Sequence, residues 1–335
     1  MFSKLYEKFK KFIVNNYKFL LSLILILFLC LYELPYVIYT PGGIVPLEER
    51  IEVDNGNNYD GSLNMSYVTM LKGRIPLVLM SFVAKNWDLE KTKDITLDGE
   101  NVDDMLELDH LFMKQSVDNA TILAYQKSGK DIKINKKVNT VIYIDKNAKT
   151  NIKKYDQILE VDGKEIQELA DIKKILQDKK VDDNVSVLVN RGGKKINTSS
   201  KLYDTEDGLK IGVIFLTTYK YDTNPKINVK IKKKEAGPSG GLMLSLAIYN
   251  SLIEEDITKG DKIVGTGTID VDGHVGEIDG VKYKILGAEK NDANVFLCPV
   301  ENYKEALKMK KKYKLKLDVK GVSTFDEAVD YLKNR

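Results

Sequence analysis

Hydrophobic positions fall into three regimes along the chain. Phe19 to Tyr32 is an unbroken apolar run apart from Ser22, and with Glu33 near an interface it continues from Leu34 to Tyr39. A helix needs about 20 residues to cross a bilayer, so residues 19–39 are expected to contact membrane lipid as a span. Upstream, Phe2, Leu5, Phe9, Phe12 and Ile13 recur at helical spacing among lysines. That pattern fits either a short basic helix on the membrane surface or a solvated flank.

From residue 41 the pattern shortens. Residues 41–137 open on the Pro41-Gly42-Gly43 turn, give strand-like stretches near 51–54 and 63–70, and then a helix from Asn101 to Lys127 with Met105, Leu108, Phe112, Ile122 and Leu123 as core positions. Residues 138–200 are β-rich. Val141 to Ile144 and Asp156 to Ile166 read as strands around a Val161-Asp162-Gly163-Lys164 turn, Ala170 to Gln177 as an amphipathic helix, and Val185 to Val189 as a strand closing at Arg191-Gly192-Gly193. Residues 201–335 alternate strands and helices. The expected class is therefore α+β, with a single N-terminal transmembrane helix at 1–40.

Charge orients that helix. Lys4, Lys8, Lys10, Lys11 and Lys18 precede it against Glu7, while Glu33, Glu48 and Glu49 follow with Arg50. The positive-inside rule puts the N-terminus in the cytoplasm and residues 41–335 outside, as a single-pass cell-membrane protein. Glu33-Leu-Pro-Tyr-Val-Ile-Tyr offers no small-x-small cleavage site, and the run has no polar face for a core helix, so an uncleaved anchor is expected. The net charge is +3, and only four of the 52 basic residues are arginine, a poor match to a nucleic-acid binder. Cys30 and Cys298 make no disulfide framework. With His110 and His274 as the only histidines and no HExxH or CxxC, no metal site is expected.

Candidate chemistry lies in two motifs. In Gly237-Pro238-Ser239-Gly240-Gly241, small neighbours open the Ser239 hydroxyl to a substrate, and amides at the start of the following helix, Gly240 among them, can serve an oxyanion. Ser239 could equally cap that helix. Further on, Gly265-Thr266-Gly267 leads to Asp279-Gly280-Val281-Lys282-Tyr283-Lys284. Together these resemble the Lon-type Ser/Lys peptidase family, in which a Gly-Pro-Ser-small-Gly nucleophile motif is followed about forty residues later by a Gly-(Leu/Val)-Lys-x-Lys motif carrying the base.

The resemblance implies Ser239 as nucleophile and, at a spacing of 43, Lys282 as base, with Thr266 bonding the lysine. Lys284, about 200° around the helix from Lys282, is left as a bystander. The family's acid three residues before the serine is replaced by Ala236, with Glu235 one place earlier. Residues 138–200 resemble a PDZ domain of bacterial proteases, which implies that an extended peptide pairs with the strand Val141, Ile142, Tyr143 and Ile144; the usual opening glycine is replaced by Asn139-Thr140. The whole order is similar to YlbL-type bacterial PDZ and Lon-protease-domain proteins, with the PDZ-like domain inserted and residues 41–137 packing with the Lon-type domain.

The expected function is an ATP-independent, membrane-anchored serine endopeptidase acting on unfolded or extended extracytoplasmic polypeptides. No cofactor is expected, since no Walker A pattern occurs. Lon-type domains commonly form rings, which leaves a homo-oligomer open. Two alternatives stand: a non-catalytic anchored PDZ scaffold that keeps the Lon-type fold, and an α/β-hydrolase, which would need a strand leading into Ser239 and His274 as its base.

Overall fold

The computed structural model describes residues 2–96, 100–205 and 208–335. Helix α1 (Phe2–Leu31) stands out from the body, and its apolar residues from Phe19 to Leu31 are exposed or half-exposed. It is kinked at Asn16, whose φ of −117° and ψ of 15° are not helical, where the basic stretch meets the apolar run. Lys4–Leu31 is the one described helix long and apolar enough to cross a membrane. The span does not continue to Tyr39. Glu33–Pro46 is a strand, with Val37 and Ile38 fully buried in protein core and Leu34, Tyr36 and Tyr39 half-buried. Pro35 disfavours helix for itself and for Leu34, and the β-branched pair Val37-Ile38 suits a pleated surface.

That strand enters a six-stranded sheet. Its order is Asp318–Val322, Val295–Pro299, Lys262–Gly265, Ser62–Arg74, Glu33–Pro46, Asp88–Lys91; the first four strands are parallel and the last two antiparallel. Residues 33–91 therefore complete a sheet whose other half comes from beyond residue 260. Two short helices, α2 (Ile75–Ser81) and α3 (Thr92–Ile95), flank the Asp88–Lys91 edge. Helix α4 (Val102–Ser128) begins in a capping box, with the Asn101 side chain accepting from the amides of Asp103 and Asp104. Its buried face is Met113, Ser116, Ala120, Leu123 and Ala124, whereas Met105, Leu108 and Phe112 are half-buried.

The sheet is covered on both faces, which is why its inner strand Val295–Pro299 reads as a continuous apolar run. In Val295–Pro299, Val295 and Leu297 join the core of α4, α6 (Gly241–Leu252) and α9 (Phe325–Asn334). Phe296 and Cys298 point the other way, to α7 (Val281–Lys290) and α8 (Val300–Tyr313). Alternation of period two thus sorts one strand's side chains into two cores.

Residues between these halves build a second sheet with its own core, including Val141, Ile158, Val187 and, from helix α5 (Leu169–Leu176), Ile172 and Leu176. Its order is Val213–Asn224, Asp131–Ile144, Gln157–Val161, Asn184–Arg191, Lys194–Lys201, Lys149–Thr150. The first two strands form a long antiparallel ribbon that links it to the larger sheet's layers.

Candidate active site

Hydrogen bonds to its backbone hold the loop that carries Ser239. Gly237, at φ 90° and ψ 158°, donates its amide to the Asp109 carbonyl at 2.9 Å. The Ser116 hydroxyl donates to the Pro238 carbonyl at 3.0 Å. The Ser239 carbonyl accepts from the Gly267 amide at 2.8 Å. Helix α4 on one side and the Thr266-Gly267 turn on the other therefore fix the loop, which makes one 3₁₀ turn, Pro238–Gly240, before α6 begins. Ser239 is not the cap of α6: Gly240 holds the N-cap position and no side chain caps it.

The surrounding glycines are small for packing reasons as well. A Cβ on Gly240 would come within 2.9 Å of Met65 Sδ, and one on Gly241 within 2.7 Å of Ser116 Oγ. Glu235, next to Ala236, is committed elsewhere. It forms a buried ion pair with Arg50 at 2.8 Å and accepts from the Lys232 amide, bracing the approach to the loop. Ile227–Val229, the last strand before Ser239, pairs only with Ile51–Val53, so no strand of the main sheet leads into the serine as an α/β-hydrolase elbow requires. His274 is exposed and bonded to Asp270, and His110 is exposed on α4.

The lysines fall differently from the sequence expectation. Lys282 leaves the helix outward, where it ion-pairs with Asp88 and lies over the Tyr283 ring. The buried lysine is Lys284, at 3% exposure, and its Nζ donates to Thr266 Oγ1 at 3.1 Å. Thr266, fully buried, in turn donates to the Ser239 carbonyl at 3.0 Å. One hydroxyl thus bridges the serine's residue and Lys284. Among the described residues Lys284 has no ion-pair partner, and burial lowers its pKa from 10.5 to about 8, with Asp279 opposing.

The physical reason is helix phase. Val281, Lys284, Ile285 and Ala288 are the buried stripe of α7, at i, i+3, i+4 and i+7, and Lys282 is 100° off it. A lysine at a core position of an otherwise apolar stripe is a signal already present in the sequence; counting residues from Ser239 overlooked it. Asp88, which receives Lys282 and the Tyr283 hydroxyl, was also not anticipated. Burial raises its pKa, but those two bonds outweigh burial and hold it below the ordinary carboxylate value.

The expected peptide strand is also revised. One side of residues 139–144 pairs with Val213–Thr217, and on the other side Asn139, Thr140 and Val141 bond Ile158, Gln157 and Asp156. Val141 therefore has no edge to offer, and the side of Ile142, Tyr143 and Ile144 that faces Val213 and Ile214 is taken. The outermost strand is Val213–Asn224, introduced by Gly212 at φ 74°; Val213 and Phe215 pack into the small core beside Ile172 and Leu176 of α5, while Ile214 is exposed. A β-branched Val213 after a left-handed glycine reads as an ordinary strand in the sequence, so its edge position depends on tertiary pairing alone.

Residues 227–334 match the Lon protease (S16) C-terminal proteolytic domain, and residues 135–202 match the PDZ domain. The chain is a PDZ and Lon-protease-domain protein. Over 96 residues it is 32% identical to Lon protease 2 of Borreliella burgdorferi, covering 29% of this chain and 12% of that protein. Lon protease of Campylobacter jejuni is 34% identical over 96 residues, 28% of this chain and 12% of the other. A serine protease Do-like HtrA of Lactobacillus helveticus is 44% identical over 55 residues, 16% of this chain and 13% of that one. The chain therefore spans only about an eighth of the length of each of these relatives, and the arrangement is consistent with YlbL-type proteins.

Proposed function

We propose that this chain is a serine endopeptidase in which Ser239 is the nucleophile and Lys284 the general base. The observation that carries the reading is the Lys284–Thr266–Ser239 chain of hydrogen bonds at 3.1 and 3.0 Å. An amine can take the serine proton only when neutral, and burial without a counter-ion favours the neutral form. As Ser239 Oγ attacks the peptide carbonyl, its proton passes to Lys284 Nζ. The resulting ammonium protonates the leaving amine as the acyl-enzyme forms, and the neutral amine then activates water for deacylation. Thr266 holds both partners through transfer.

The test uses the full chain and an unfolded polypeptide, followed by gel or mass spectrometry. Wild type is expected to cleave it without ATP and Ser239→Ala to leave it intact. The base must be deprotonated, so the rate should rise with pH and level off above an inflection near pH 8, following the Lys284 pKa of about 8. A rate flat from pH 6 to 10, or equal cleavage by Ser239→Ala, would refute the mechanism.

Anchoring by α1 with the C-terminal body outside the cytoplasm is supported by the lysine-rich N-terminus and the exposed apolar helix. Substrates would then be extended extracytoplasmic polypeptides. Their docking edge would be the outer side of Val213–Phe215 next to α5, with main-chain pairing giving affinity and α5 giving side-chain selectivity. An extended peptide bearing a photoreactive residue should crosslink to Val213–Leu216 or α5, read by tryptic mapping. Crosslinks confined to the surface of Gln157–Val161 would reject this edge.

A further inference from the structure

Leu79, Met80, Phe82 and Val83 are 64%, 50%, 73% and 81% exposed, a contiguous run from the end of α2 into the next turn. Folding leaves them in water although nearby Val78 is buried. An exposed apolar patch of this kind marks an interaction surface. Its neighbour identifies the partner. Glu33 pairs with Arg74, so the C-terminal end of α1 and the start of α2 leave the sheet side by side, and the two helices touch.

We propose that α2 and the turn through Val83 insert into the lipid surface next to the α1 span, so that the body is held to the membrane at two points. The inference rests on α1 crossing the bilayer. Three features fit a lipid interface. α2 touches α1, and Leu31 at the end of α1 and Tyr32 just past it are exposed as the patch is. Trp87, the chain's single tryptophan, is half-buried just past the patch, where an aromatic ring suits the headgroup level. Lys85, Lys91 and Lys93 are exposed around it, placed for lipid phosphates.

The seat is tied to the active site. Just past the patch, Asp88 receives Lys282 and Tyr283 of α7, the helix that carries Lys284, and Asn86 accepts the Tyr313 hydroxyl of α8 at 2.5 Å. Insertion would therefore hold the Ser239 site at a fixed height above the bilayer, favouring chain segments that emerge from it.

Trp87 is a built-in reporter. The full chain is placed in phosphatidylcholine–phosphatidylglycerol nanodiscs whose acyl chains are brominated either near the headgroup or near the methyl end. Wild type is expected to be quenched more by the shallow bromines. A Leu79→Ser, Met80→Ser, Phe82→Ser, Val83→Ser variant should lose most of that quenching, while its thermal unfolding in detergent stays at the wild-type midpoint because the four side chains are exposed. Density flotation separates the two readings. A chain that floats with the discs but shows no quenching, or quenching unchanged in the variant, overturns insertion and leaves the α1 anchor standing. A chain that fails to float removes both.

Discussion

Lys284→Met should lower the turnover of an unfolded polypeptide by about 10⁴-fold or more, the loss seen when one member of a nucleophile–base pair is removed. Lys282→Met should leave it within a few-fold. The two lysines stand two residues apart on one helix, so sequence proximity cannot separate them; environment does. Methionine nearly matches lysine in length and suits a stripe flanked by Val281, Ile285 and Ala288, so Lys284→Met should fold and melt at or above the wild-type temperature, since it removes a buried group that prefers water. Lys282→Met loses a partly exposed ion pair with Asp88, worth about 0–1 kcal/mol. Steady-state rates with calorimetric melting of both variants decide the assignment, and the reverse pattern would return the base to Lys282.

This contrast also shows what the sequence held. Two motifs in order pointed to the Ser239 loop and Thr266, which the fold brings into contact, because glycine-dense turns and a proline beside a serine are local features that survive without knowledge of the fold. The proposed base required the phase of α7, a local quantity too, and the apolar positions 281, 285 and 288 already place 284 among them. Residue spacing across 43 positions carries no such information, since loop length between two elements does not set which face of the second is buried. The PDZ-like core was legible from its alternation and its Asp-Gly turn. Its edge was not: the strand that closes it lies beyond the matched residues, and pairing across 70 positions is decided by the fold. The end of the apolar helix was misjudged because hydropathy counts Leu34 to Tyr39 alike whether they meet lipid or a sheet; Pro35 was the available sign. The remaining strands of the main sheet, drawn from residues 33–91, have no motif that links them to residues 262–322.

Thr266→Val should reduce turnover by about 10²-fold, the scale of a misplacement of about 1 Å at a reacting centre. Valine keeps the volume and β-branching but removes the one hydroxyl that accepts from Lys284 and donates to the Ser239 carbonyl. Ser239 would keep its bond from the Gly267 amide, so the loop should remain folded while the amine loses its positioning contact. A pH profile distinguishes this from general damage. The threonine oxygen accepts more strongly from an ammonium than from an amine, so it favours the charged form; its loss should move the rate inflection below the wild-type value near pH 8. Thr266→Ser retains the hydroxyl and should restore both rate and inflection toward wild type. If valine slowed the enzyme with the inflection unmoved, and serine failed to rescue, Thr266 would be serving the packing of this turn and not the proton transfer.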